Sequence, residues 1–168
     1  MGKHGSREML LGIISDTHLE PPAGHGLPDW VFAAFAGVDL ILHAGDIESD
    51  GLLLELESIA PVQAVRGNCD FHLPGLPIAK TIPIPGYGTI LLAHRLDEAL
   101  RGAAPGIRGL IHGHTHKAEF RNSIVPWILN PGSPTRPRGG SRASVALLAV
   151  VGGEVEATFR FRPGSADE

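Results

Sequence analysis

The chain carries one cysteine, Cys69, among 168 residues. An intramolecular disulfide is therefore excluded, which fits a reducing compartment and an expected cytoplasmic location. No apolar run approaches the ~18 residues that a membrane-spanning helix needs. The first eight residues, "MGKHGSRE", are polar and read as a short flexible extension rather than a signal peptide. A basic excess is also missing. Lys and Arg number 14 against 18 Asp and Glu, a net charge of −4, which argues against a nucleic-acid-coating role. Repeats, low-complexity tracts and linkers are absent, so residues 9–162 are expected to form one domain, with 163–168 as a tail. A chain of this length buries about 70% of its unfolded surface, enough for a sizeable core.

What is present is an ordered series of apolar runs. "MLLGIISD" (9–16), "VDLILHAGD" (38–46) and "VQAVRGNCD" (62–70) read as buried strands, each running into polar residues. Between them, 28–37 and 50–60 have helical patterns. The order β-α-β-α-β implies a parallel sheet with right-handed crossovers. Residues 78–94 read as a hairpin around "PGYG", 96–104 as a short helix and 107–116 as another apolar strand. Residues 120–134 form a strand pair or loop closing on a turn, and 143–162 a hairpin about "GGE".

The polar ends of these strands share one chemistry. They are Asp16-Thr17-His18, Gly45-Asp46, Gly67-Asn68, His94 and Gly113-His114-Thr115-His116. In open α/β sheets, ligands bind beyond the carboxyl ends of the strands. Five separate segments would then bring metal-type ligands to one edge. The stretch "LIHGHTHKAEF" places histidine at 112, 114 and 116. If the strand continues, these three share one face. The bland alternative is a solvated edge. Each short motif alone is weak: D-x-H can be a turn Asp and a loop His, and G-D and G-N are common turns. Their joint order, each after an expected strand, is specific.

The series D-x-H, G-D, G-N-C-D, H and G-H-T-H, with "NPGS" at 130–133, resembles the calcineurin-like metallophosphoesterase superfamily. Its small bacterial and archaeal phosphodiesterases look most similar. The resemblance covers roughly residues 9–162. It implies a four-layer α-β-β-α sandwich of two mixed sheets with two divalent metals at one edge. It further implies that Asp16 and His18 bind the first metal, with His116 returning to it. Asp46 bridges both, and Asn68, His94 and His114 bind the second. Manganese is favoured, with iron, zinc, cobalt or nickel as alternatives, because a mixed imidazole, carboxylate and amide set suits them better than calcium or magnesium. A bridging group must be a carboxylate, since its two oxygens can serve two cations ~3.5–4 Å apart.

The implied activity is hydrolysis of phosphodiesters, or of phosphomonoesters, by attack of a metal-bridging hydroxide, with no covalent enzyme intermediate. Small phosphoesters are the expected substrates. Exposed strand edges allow a homodimer. A reading of another class is a non-catalytic, metal-binding scaffold, as in the retromer subunit that shares the fold. All seven ligand positions hold competent side chains, which favours the enzyme. A nuclease is a third reading, disfavoured by the acidic charge.

The sequence departs from the family pattern twice. Larger members follow Gly-Asn with a histidine that protonates the leaving group; here Cys69 stands there, followed by Asp70. A thiol ionising near ~8.5, and lower beside cations, is a poor proton donor. Cys69 is equally readable as a small packed side chain. His72 is near but wrongly spaced. The family also follows the fourth-segment histidine with glycine, where this chain has Arg95. Arg95 either grips a substrate phosphate or starts an exposed helix. His43 and His112 are read as support for the ligands rather than ligands, and Asn130 and Ser133 as turn residues beside the metals. His4 and His25 are expected to be exposed. The loops 20–29 and 71–77 are expected to set specificity.

Overall fold

The computed structural model describes residues 8–19 and 26–164. His4, His25, most of the 20–29 loop and the end of the tail lie outside the described residues. Ten strands form two five-stranded sheets. The first sheet has the order β10-β9-β1-β2-β3, from β1 (Met9–Ile14), β2 (Leu40–His43), β3 (Val62–Ala64), β9 (Ser144–Val151) and β10 (Glu154–Phe161). The second has the order β4-β5-β6-β8-β7, from β4 (Ala79–Ile84), β5 (Gly88–Ala93), β6 (Ile107–Ile111), β7 (Ala118–Arg121) and β8 (Trp127–Pro131). Strands β1, β2 and β3 pair in parallel, as do β5, β6 and β8; the flanking hairpins are antiparallel. Both sheets are therefore mixed, as the resemblance implies.

Alternation along each strand divides the apolar residues into layers. Leu11 and Ile13 of β1 face the second sheet and pack with Ile82, Ile90, Leu92, Ile111 and Leu129. Ile14, one residue on, faces the other way, onto Val31 and Phe35 beside α1 (Asp29–Ala34) and Leu52 and Leu56 of α2 (Asp50–Glu57). On the outer face of the second sheet, Leu91, Ala93, Leu110 and Ile128 cover Ala99 of α3 (Leu96–Gly102). The order is helix, sheet, sheet, helix.

One expectation fails. The strand read over 107–116 ends at Ile111. His114 and His116 adopt φ of 71° and 59°, the left-handed region, so the histidines do not alternate along an extended strand. Where their side chains lie is set by this turn and not by strand parity.

Between the sheets, the Trp127 indole N–H donates to the Tyr87 hydroxyl at 2.7 Å. Both side chains are buried. Tyr87→Phe leaves that N–H without its partner, a loss expected to cost about 1–2 kcal/mol. Urea unfolding should show a lower midpoint with unchanged slope; equal stability would mean the indole finds another acceptor.

Candidate metal centre

The parallel strands of both sheets end at the same rim. Past β1, the chain keeps pairing with the segment past β2: Asp16 N–H donates to the Gly45 carbonyl and His18 N–H to the Asp46 carbonyl. In the second sheet, Gly113 N–H donates to the His94 carbonyl. The two halves are then joined through Asp16, whose Oδ2 accepts from His114 N–H at 3.0 Å and from Ser15 Oγ at 2.7 Å. Ser133 Oγ donates to the Asp16 carbonyl at 2.7 Å.

Three imidazoles at this rim are oriented in the same way. His18 Nδ1 meets Glu48 Oε2 at 2.7 Å, His94 Nδ1 meets the Ala44 carbonyl at 2.7 Å, and His116 Nδ1 meets the Arg136 carbonyl at 2.6 Å. Each partner only accepts, so each Nδ1 carries the hydrogen and each Nε2 of the neutral ring presents a lone pair. Those lone pairs face one another and the carboxylates. His18 Nε2 lies 3.3 Å from His116 Nε2, His94 Nε2 lies 3.3 Å from Asp46 Oδ2, and His116 Nε2 lies 3.3 Å from Asp16 Oδ1. Acceptor against acceptor is repulsive unless a proton or a metal ion lies between them. Asp16 Oδ1 and His94 Nε2 are buried and have no hydrogen-bond partner among the described residues. Asp16 and Asp46 are 0% and 2% exposed, and burying two carboxylates costs several kcal/mol each unless positive charge compensates. The residues present therefore fit a metal. Asp16, His18 and His116 can close on one ion, and Asp16, Asp46 and His94 on another.

Each carboxylate offers one oxygen to the centre. Asp46 Oδ1 accepts from Cys69 N–H at 2.9 Å, leaving Oδ2 between His18 Nε2 at 3.6 Å and His94 Nε2 at 3.3 Å. Burial pushes the Asp46 carboxyl up, but the adjacent His94, with Cys69 N–H and His18, holds it well below the usual carboxylate range. Burial pushes His94 down, yet Asp46, Asp16 and the Ala44 carbonyl raise it above an ordinary imidazole.

Asn68 and His114 border this group. Asn68 is exposed, and its Nδ2 contacts Cys69 Sγ at 3.5 Å. The His114 ring meets the His94 ring edge-on at 5.2 Å; burial, His94 and Arg95 lower its basicity, so it is neutral near pH 7. Cys69 is half-buried, and its Sγ can approach the same ion position as His18 and Glu48. Burial and the carboxylates of Asp46, Glu48 and Asp70 push its thiol up to about 11. The protein's own charges thus oppose the lowering expected from nearby cations. His72 is exposed and turns to the Glu48 carbonyl. Arg95 precedes α3 and pairs with Asp97 at 3.2 Å.

The supporting roles read for His43 and Asn130 are visible. His43 is buried, accepts from Gly45 N–H through Nδ1 and meets Thr17 Oγ1 through Nε2; burial first, then the neighbouring His94, lowers it to about 3. It is neutral and holds the Gly45 turn. Asn130 donates to the Gly113 carbonyl and Thr115 Oγ1, fixing the turn that carries His114. His112 is buried, with Nδ1 on the Gly113 carbonyl.

Two residues were missed by sequence reasoning. Glu48 orients His18, and nothing in its sequence position marks it. Asp70 stands in the sequence only as the residue after Cys69. It is fully buried and accepts from the N–H groups of Ile47, Glu48 and Gly67, each at 2.8 Å, clamping the Asp46 and Asn68 loops together. Its place in "GNCD" was the available signal. Gly67 and Gly113 make room for the ligands: a Cβ at Gly67 would strike Asp46, and one at Gly113 would strike Ser15 and Asp16.

Glu48→Ala should weaken metal binding about 10–100-fold, the usual effect of losing a carboxylate behind a metal-binding imidazole. Chelator competition measures it, and unchanged affinity would remove Glu48 from the site. In the same titration, wild-type affinity should fall on acidification starting above pH 6.5, because a proton and a cation compete for His94, whose basicity is raised. An onset well below that value would contradict the assigned electrostatics.

Comparisons with known proteins agree with this geometry. The calcineurin-like phosphoesterase superfamily domain matches residues 9–153. A "probable metallophosphoesterase" of Methanothermobacter thermautotrophicus is 40% identical over 158 residues, covering 89% of this chain and 90% of the relative. Phosphodiesterase YfcE of Escherichia coli is 31% identical over 164 residues, covering 83% and 87%. Among solved structures, Vps29 of Chaetomium thermophilum superposes with a TM-score of 0.72 at 20% identity, covering 92% of this chain and 98% of that one, which shows the fold alone. This chain, with its paired sheets and a rim of inward-facing imidazoles and carboxylates, belongs to the calcineurin-like phosphoesterase superfamily.

Proposed function

We propose that the protein is a dinuclear, metal-dependent phosphodiesterase acting on small phosphoesters, with monoesters as secondary substrates. The observation that carries this reading is the orientation of His18, His94 and His116, whose Nδ1 atoms are bonded behind them and whose Nε2 atoms face the buried carboxylates of Asp16 and Asp46. Asp16, His18, Asp46 and His116 would hold one cation. Asp46, Asn68, His94 and His114 would hold the other, Asn68 by turning its amide from Cys69. The mixed nitrogen and oxygen donors favour manganese. Such a pair of cations, when bound, acidifies water to a usable nucleophile and neutralises charge on the phosphoryl oxygens.

The chain's own groups set the rest. Glu48 and the carbonyls of Ala44 and Arg136 fix the rings of His18, His94 and His116, so these three need not reorganise as charge develops at phosphorus. Asp70 and Asn130 hold the loops that present those ligands. Cys69, with its thiol held near 11 by burial and carboxylates, is a weak acid in the place where larger relatives have histidine. Substrates whose leaving group needs no proton, such as aryl esters, are then the better ones.

The alternative, a metal-binding scaffold for protein contacts, rests on the fold shared with Vps29. Activity separates the two. Bis-p-nitrophenyl phosphate should be hydrolysed with Mn²⁺ and not after chelation, and Asp46→Ala should lower kcat/KM at least about 100-fold, as expected for a residue shared by both cations. Full metal occupancy without turnover of diesters or monoesters would overturn the enzyme reading and favour the scaffold.

A further inference from the structure

Beside the rim, a cavity of about 380 Å³ is lined by Asn68 and His94. Five of its other lining side chains, Arg66, Phe71, Ile78, Arg95 and Glu98, have no part in metal binding. Phe71 is 83% exposed and Ile78 50% exposed, and both line this cavity. Single exposed apolar side chains are ordinary. Two on the wall of one cavity, next to polar groups at a candidate reaction centre, have the composition of a ligand site. The guanidinium of Arg66 makes no ion pair among the described residues, and that of Arg95 shares Asp97 with Arg101. Glu98 is the one carboxylate on the cavity wall among the described residues, so the two arginines leave a positive surplus.

These groups ask for particular chemistry. A guanidinium fork matches the oxygens of a phosphate or carboxylate. An exposed phenyl ring offers a flat apolar face at little conformational cost. The metals would account for the scissile phosphate, which leaves Arg66 and Arg95 available to a second anion. The substitution of Arg95 for the family's glycine places one of these charges directly after His94.

We propose that this cavity holds one arm of the diester substrate, an arm carrying a flat ring and a second anionic group, as in a nucleoside bearing a further phosphate. Arg66 and Arg95 bind the second anion and Phe71 lies against the ring. The inference rests on the phosphodiesterase reading of the adjoining site and names its substrate class.

Calorimetric titration of the manganese-loaded protein with adenosine 3′,5′-bisphosphate and with inorganic phosphate tests it without requiring turnover. The bisphosphate should bind at least about tenfold tighter than phosphate. Arg66→Ala and Phe71→Ala should each remove most of that advantage, with manganese content reporting that the variants fold. A bisphosphate that binds no tighter than phosphate, or an advantage kept by both variants, overturns the proposal. Tight bisphosphate binding in a protein inactive on bis-p-nitrophenyl phosphate would uphold the cavity assignment while overturning the phosphodiesterase reading.

Discussion

Everything at the rim depends on three histidines whose Nδ1 atoms are already committed. With their Nδ1–H groups donating to Glu48 and two backbone carbonyls, the Nε2 atoms of the neutral rings have only lone pairs to offer. They are packed against one another and against two buried carboxylates, an arrangement that electrostatics opposes without positive charge. The fold holds it because each ring is fixed from behind. In this sense the acceptors outside the site, and not the ligands alone, define it.

The architecture serves that constraint. Parallel strands in both sheets end on one side, so loops distant in sequence meet there. The loops are short and strained. Among the described residues, the six non-glycine positions with left-handed φ are Asp16, His18, Asp46, Glu48, His114 and His116. Each costs of order 1 kcal/mol. Five are candidate ligands and the sixth orients one. Strain of this kind persists only where the surroundings overdetermine it, and here Asp70, Asn130 and Ser133 tie the loops with buried hydrogen bonds.

Much of this was legible in the sequence. Apolar runs ending in Asp-x-His, Gly-Asp and Gly-Asn gave the parallel strands and the direction of their ends, because carboxylates and imidazoles gathered at strand ends seldom serve packing alone. Helix and strand boundaries were shorter in the structure than the apolar patterns suggested, as at β3, where the pattern ran on into the Gly67 turn. The histidine spacing at 112–116 invited a strand because alternation looks the same on paper whether the backbone is extended or turned. Glu48 was not legible, since its role depends on where the loop after β2 passes relative to His18. The carbonyls of Ala44 and Arg136 carry no side-chain signature at all. Arg95 departs visibly from the family pattern, but the cavity it lines depends on Arg66 and Phe71, which the fold brings beside it from another loop.

The central claim is that the rim gathers two cations around a shared Asp46 oxygen. A crystal grown with manganese, with anomalous scattering recorded at the manganese edge, tests it most directly. The account predicts two peaks, both within bonding distance of Asp46, with His18 and His116 on one and His94 on the other. A single peak, or a pair of peaks with Asp46 touching neither, would contradict it.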